Sequence, residues 1–402
     1  MAGSKAQQSD DLRIYRGIHY RSGIPLELTC AGGRIVHVRE LHTGDAALDR
    51  LPLIAPGLVD LQVNGYGGAD LNEEGLQPER FAYMVEQLWS LGVTGFLPTI
   101  ITNSPETITN LLQQLSRILE LSEANIAHTV VGIHLEGPFI SPEDGPRGAH
   151  DPRWVCTPDL PLLDAWQEQS CGRLRIVTFS PEWDDAHSLI AWCNRHGVIA
   201  SIGHTAASGE QIRSAAAAGA RMSTHLGNGA HPVLPRHPNY LWEQLACDAL
   251  TACVIADGFH LSEPVMKVFY RAKAGNLILV SDAVALAGMP PGLYQAAVGG
   301  EVVLSPEGRL CLAADERLLA GSALPLIQGV ERMAAMNLCP WQEAWDMASV
   351  KPAEMLGIPA KAQLAPGGPA DFLLLRVEGS VMTVHQTVKQ GHIVYDREKI
   401  TS

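Results

Sequence analysis

Hydrophobic and polar positions change rhythm twice along this chain. Between residues 12 and 53, short alternating runs (LRIYRGIHY, LELTC, RIVHVREL) are broken by Gly and Pro. A period of two with such breaks predicts the strands of a small β unit. From APGLVDLQVNGYGG, starting at Ala55, compact apolar runs alternate with amphipathic stretches instead. The apolar runs at 57–63, 95–100, 130–135, 174–179, 198–203, 221–226, 252–256 and 277–280 predict parallel strands. The stretches at 78–91, 105–121, 184–196, 209–218 and 263–272 predict helices between them, and 325–336 and 341–356 predict two more. The tail, LAPGGPADFLLLRVEGSVMTVHQTVKQGHIVYDRE, returns to short β runs.

Eight βα repeats predict a (β/α)8 barrel. An open doubly wound sheet has a similar signature and stays as the alternative, although no GxGxxG follows a strand. Pairing the tail with the N-terminal runs predicts a small β-sandwich domain from both chain ends, residues 1–54 plus 364–402. The barrel domain, 55–363, is then inserted between them. Two connections are long, 137–173 and 283–319, and the second contains a hairpin pattern, GGEVVLSPEGRLCL. Long loops at the C-terminal face of a barrel shape substrate pockets.

Composition narrows the class. With 402 residues and 46% hydrophobic side chains the chain can bury a large core. A formal charge of −14 argues against nucleic acid or an anionic membrane as partner. The eight cysteines include no CxxC pair, which disfavours a disulfide framework or a cysteine zinc site. The polar start, MAGSKAQQSDD, has no apolar signal core, and residues 1–10 are expected to be a disordered leader. No apolar run reaches the roughly 20 residues that span a bilayer. A cytoplasmic protein is expected.

Candidate chemistry sits where the apolar runs end. One strand ends in His134-Leu135-Glu136, another in Gly203-His204, a third in Thr224-His225 and the last in Ser281-Asp282. Singly each has a plain explanation: a satisfied polar residue, a helix cap, a turn carboxylate. Together they converge on one rim of a barrel. Glu136, His204 and His225 are then a three-ligand set for Zn2+ with an open position for water. Asp282 is a carboxylate able to take that water's proton.

The segments PGLVDLQVNGYGG, HLEGPF, GAH, IGHT, THLGN, ADGFH, VSDA and LAGS occur in this order from about Pro56, with a GGPADFLLL tail. This ordered set resembles the N-acetylglucosamine-6-phosphate deacetylase family of the amidohydrolase superfamily. The resemblance implies a (β/α)8 barrel with a β-sandwich from both termini. It implies hydrolysis of N-acetyl-D-glucosamine 6-phosphate to D-glucosamine 6-phosphate and acetate. By position it makes Glu136, His204 and His225 the metal ligands, Asp282 the general base and acid, and His150 the contact to the substrate carbonyl. It assigns Gln62, Asn228, Gly229, Arg236, His260 and the stretch Leu319-Ala320-Gly321 to substrate binding. Where many superfamily members carry His-x-His, this chain has Gln62-Val63-Asn64, so one divalent metal per subunit is expected. Zn2+ leads, with Fe2+, Mn2+ or Co2+ able to share such ligands. A homodimer is implied as well. The chain departs from the family pattern after Asn228: His231 and His237 are extra donors around Arg236. Rival readings are a deacetylase of N-acetylgalactosamine 6-phosphate or of an unphosphorylated acetamido sugar, another amidohydrolase reaction, and a catalytically silent barrel.

Overall fold

A computed structural model describes residues 12–42, 48–296, 300–358 and 364–400. The expected leader, residues 1–10, lies outside them. Eight parallel strands run β1 (Leu58–Val63), β2 (Val93–Ile101), β3 (Ile133–Glu136), β4 (Leu174–Phe179), β5 (Ile199–Ile202), β6 (Met222–Ser223), β7 (Thr251–Ile255) and β8 (Leu277–Val280). Each neighbours the next in sequence order. A parallel bridge between Val63 and Ala283 joins the first to the last. That closure decides for the barrel over the open sheet.

The helices follow from local chemistry. Over Pro105–Leu121, Ser104 caps the first turn by accepting from the Thr107 N–H, and Pro sits inside the start. The buried side chains of that helix, Ile108, Leu111, Leu112, Leu115, Ile118 and Leu119, form one stripe of helical period. Helix Gly209–Ala218 carries a capping box, Ser208 with Gln211, and stops at Gly219, whose φ of 112° suits glycine.

Three sequence expectations change. The 137–173 connection contains a helix, Leu160–Gln169, started by the Asp159 cap. The single helix expected at 341–356 is two, Trp341–Met347 and Val350–Met355. Pro352 explains the break, because its ring clashes with the carbonyl four residues earlier and it donates no hydrogen bond. Strand β6 is two residues rather than six, because the backbone turns out of the extended region at His225, where φ is 25°.

The strands of the N-terminal segment, Arg13–His19, Pro25–Ala31, Arg34–Glu40 and Leu53–Pro56, share one seven-stranded sheet with Phe372–Glu378, Val381–Lys389 and His392–Asp396 from the C-terminal end. Leu53–Pro56 is the seam, parallel to Arg13–His19 and antiparallel to Phe372–Glu378. The sheet folds back on itself: Ile35 N–H donates to the Gly368 carbonyl, and Gly367 N–H to that of Ile35. Tyr15, Leu28, Ile35, Phe372 and Val388 fill the fold. The expected hairpin forms as Gly300–Leu304 with Leu310–Leu312.

Inside the barrel, Val59, Leu97, Ile176, Ile199, Met222, Cys253 and Ile278 make an apolar plug, closed by Ala353 and Leu356. Residues two apart on a strand share a face. One layer above Ile176, Ile199 and Met222 come Thr178, Ser201 and Thr224, so the interior turns polar toward the C-terminal rim. His134 Nδ1 lies 3.1 Å from the Leu61 carbonyl and its Nε2 2.7 Å from Thr178 Oγ1. Thr224 Oγ1 is 2.6 Å from both Thr178 Oγ1 and Ser201 Oγ. Burial holds His134 down at about 4, so the ring is neutral. A carbonyl only accepts, so the chain has one direction: Ser201 donates to Thr224, Thr224 to Thr178, Thr178 to Nε2, and Nδ1–H to Leu61. This satisfied network is the floor beneath the rim.

Candidate active site

Four side chains reach the rim from the ends of β3, β5, β6 and β8. Three of them leave their strands through the left-handed region: φ is 48° at His204, 25° at His225 and 50° at Asp282. Such backbone costs roughly 1–3 kcal/mol per residue and persists where packing over-determines it. Here it turns each side chain inward at the strand end. Glu136 Oε1 lies 2.8 Å from His225 Nε2 and 3.2 Å from His204 Nε2, and the two Nε2 atoms are 3.1 Å apart. Among the described residues this trio, all buried, is the one His/Cys/Asp/Glu cluster close enough to share a metal ion, with its ligand atoms within 4.8 Å.

The donor set fits a divalent cation. His204 Nδ1 is 2.8 Å from the Pro146 carbonyl, which can only accept, so a neutral ring has its lone pair on Nε2. That lone pair faces the His225 nitrogen and the carboxylate. Gln62 Nε2 donates to Glu136 Oε1 at 2.9 Å. The electrostatics call for positive charge. Burial alone would raise Glu136, yet its close contacts with His204 and His225 hold it well below the usual carboxylate range. Burial alone would lower His225, yet Glu136 overrides it and holds the imidazolium up to about 9. A divalent cation supplies that charge directly and explains two imidazole nitrogens turned face to face.

Asp282 stands beside this cluster. Its carboxyl is pushed up to about 7, by burial first and by Glu136 second. Asn64 Nδ2 donates to its Oδ1 at 2.8 Å, and its N–H donates to the Gln62 carbonyl. Asp60, buried beneath, accepts from the N–H groups of Ser281 and Gln62, which ties β1 to the end of β8. His150 lies in the loop after β3, with Nδ1 2.7 Å from Thr102 Oγ1 and its ring edge-on to His204 at 4.4 Å. Burial, then His204, lowers its pKa to about 3, so the ring is neutral.

The remaining expected residues surround this centre unevenly. Asn228 folds back, its N–H and Nδ2 both donating to the His225 carbonyl. Gly229 packs on His204 so closely that a Cβ would stand 2.6 Å from Nδ1, at a φ of 55°. His260 Nδ1 is 2.6 Å from Asp257 Oδ2, and burial of Asp257 is outweighed by this partner, which lowers its pKa. Leu319-Ala320-Gly321 runs alongside the hairpin, and Ser322 bridges to Ala283, next to Asp282. Arg236 is exposed on the loop that leaves Asn228, outside the buried cluster. Of the two extra histidines, His237 is exposed. His231 is clasped, with Nε2 3.1 Å from Glu143 and Nδ1 3.0 Å from the Tyr240 hydroxyl.

Sequence reasoning passed over Asn64 as anything but a poor ligand, and missed Thr102, Asp60, Asp257 and the Pro146 carbonyl. Asn64 and Asp60 carried a signal, since they flank Gln62 on a strand whose end faces the rim. The others act through contacts between distant segments.

A model of the amidohydrolase family matches residues 53–394. The chain belongs to that family. N-acetylglucosamine-6-phosphate deacetylases from Bacillus subtilis and Homo sapiens are 32% and 30% identical to it, over 85% and 99% of this chain and 85% and 97% of theirs. A variant of the Mycobacterium smegmatis N-acetyl-D-glucosamine-6-phosphate deacetylase, solved in complex with N-acetyl-D-glucosamine-6-phosphate, superposes with a TM-score of 0.82 at 28% identity, covering 95% of this chain and 99% of that one. The enzyme of that name from Thermotoga maritima gives 0.80 at 28% identity, over 96% and 100%. Within the amidohydrolases this chain belongs with the N-acetylglucosamine-6-phosphate deacetylases.

Proposed function

We propose that this enzyme hydrolyses N-acetyl-D-glucosamine 6-phosphate to D-glucosamine 6-phosphate and acetate, with Glu136, His204 and His225 holding one divalent cation. The buried Glu136–His204–His225 cluster beside Asp282 carries this reading. A cation bound there supplies Lewis acidity, which makes water a better nucleophile and the acetamide carbonyl a better electrophile. His150 donates a hydrogen bond to the acetyl oxygen as charge develops on it. Asp282, with its carboxyl held near neutrality, takes the proton from the attacking water. It returns that proton to the amide nitrogen as the C–N bond breaks, so that the sugar leaves as an amine. His260, braced by Asp257, and Arg236 bind the 6-phosphate, while Asn228, Gly229 and the Leu319–Gly321 backbone line the sugar and acetyl pocket.

One cation, rather than two, is supported by Gln62 and Asn64. Both amides turn N–H donors toward the carboxylates of Glu136 and Asp282, and donors do not ligate a cation. Zn2+ suits two imidazoles and a carboxylate best. The division into a barrel domain (55–363) and a small domain (1–54 plus 364–402) is supported by the small domain's own apolar cluster around Tyr15, Leu28 and Phe372, while its Leu373, Leu375 and Val384 pack into the cluster that covers the barrel's helices. A cytoplasmic homodimer completes the proposal. Among the described residues no helix is long and apolar enough to cross a membrane.

The deciding experiment is acetate release from N-acetylglucosamine and N-acetylgalactosamine, each with and without the 6-phosphate. Fastest turnover of N-acetylglucosamine 6-phosphate is expected. No release from any of the four, by protein loaded with Zn2+, would overturn the reading.

A further inference from the structure

We infer that Thr102 is a positioning residue: its hydroxyl donates to His150 Nδ1 and so fixes the tautomer that presents Nε2–H to the acetyl oxygen. This rests on the role proposed above for His150. Thr102 follows β2 and is buried. Its Oγ1 has two acceptor sites in reach, His150 Nδ1 at 2.7 Å and the Glu136 carbonyl at 3.4 Å. A hydroxyl has a single proton to give. If it goes to Glu136, a neutral His150 must donate from Nδ1, and a bare Nε2 lone pair meets the lone pairs of the acetyl oxygen. If it goes to His150, Nε2 carries the proton and stabilises that oxygen. The 2.7 Å contact serves either arrangement; what tells against the first is the alternative acceptor, which at 3.4 Å lies at the limit of a hydrogen bond and gives the hydroxyl little reason to turn away from His150. The proposed chemistry requires the second arrangement.

Both partners are held so that the pairing cannot drift. Asn72 clamps the end of β2, with Oδ1 accepting from Ile101 N–H at 2.9 Å and Nδ2 donating to the Thr99 carbonyl at 3.0 Å. Gly137 makes room for the hydroxyl: a Cβ there would stand 2.1 Å from Thr102 Oγ1, and φ is 84°. On the other side Arg147 Nη1 donates to the His150 carbonyl at 2.9 Å, and the ring packs against His204.

The test uses full-length protein labelled with 15N-histidine and loaded with Zn2+, which is diamagnetic. The His150 signals are assigned by their loss in H150N. In the wild type, a protonated Nε2 and an unprotonated Nδ1 are expected. T102V should move His150 toward the Nδ1–H tautomer and lower kcat by about 100-fold, the usual scale for losing one oxyanion donor, with KM within about twofold and metal content unchanged. T102S should restore both the tautomer and most of kcat. A wild-type His150 protonated on Nδ1, or a T102V enzyme with kcat within about twofold of wild type, overturns the inference. The wild-type spectrum decides the tautomer even if T102V fails to fold. H150N with near-normal kcat would instead overturn the role of His150 itself, and this inference with it.

Discussion

The rim of the barrel and the loop that follows Asn228 are built on opposite principles. At the rim most functional side chains have a fixed partner, Gln62 on Glu136, Pro146 on His204, Asn64 on Asp282 and Thr102 on His150, and only His225 keeps a buried Nδ1 with none. Beneath them lies a hydroxyl chain with a single direction. In the loop from 229 to 239, by contrast, Val233, Arg236 and His237 are exposed, and the strongest tie is His231 between Glu143 and Tyr240. In the function proposed above the rim serves bond making, where misplacement of a charged atom by about 1 Å costs as much as 100-fold in rate. In the same proposal the loop serves recognition, where exposed side chains can change at little cost to stability. That matches where the chain departs from the family pattern. By the resemblance read from the sequence, positions at the rim follow it and positions around Arg236 do not.

The comparison can be broken first by metal removal. Chelation should abolish turnover, and elemental analysis should find one equivalent per chain; two tightly held equivalents would contradict the roles of Gln62 and Asn64. Removal should also make stability depend on pH. Without a cation, Asp282 is raised to about 7 and His225 to about 9. The folded state then binds more protons than the unfolded state between their ordinary values and these, so stability falls as pH rises. His134 and His150, lowered to about 4 and 3, act the other way only below about pH 6.5, so metal-free protein should melt a few degrees lower at pH 9 than at pH 7, a gap the bound cation should close. Equal melting temperatures of the metal-free protein would show that the rim does not hold these charges.

Next in size, D282N should lower kcat by about 1,000-fold while phosphorylated substrate still binds, since only the proton transfers are lost. Turnover near that of the wild type would remove Asp282 from the chemistry and with it the contrast between rim and loop. R236A should act on the other side of the comparison, raising KM for the phosphorylated sugar by about tenfold or more and leaving kcat within severalfold. A fall in kcat to match D282N would place Arg236 at the rim in function. The smallest effect belongs to H231A. Losing an exposed Glu143 pair and the Tyr240 contact should cost less than about 1 kcal/mol and raise KM by about two- to fivefold. A larger loss of stability would show the loop to be as rigidly tied as the rim.

Much of this was legible in the chain. Compact apolar runs bounded by Gly and Pro marked the barrel strands, and β4 and β8 coincide with runs read directly from the pattern. Glu136, His204, His225 and Asp282 could be picked out because each ends such a run. The break before Val350–Met355 was missed although Pro352 signals it, because the surrounding apolar spacing suits a continuous helix. The shortness of β6 was hidden, since the turn at His225 depends on what its imidazole meets.

Local sequence therefore determined the number and order of strands, the helix caps and the residues that end on the rim, because period and capping are short-range properties. Only the tertiary structure decided which partner each of those residues has. Thr102 is 48 residues from His150 and Asn64 is 218 from Asp282. Hydrogen-bond direction and burial, which settle tautomers and protonation, arise only when such segments meet.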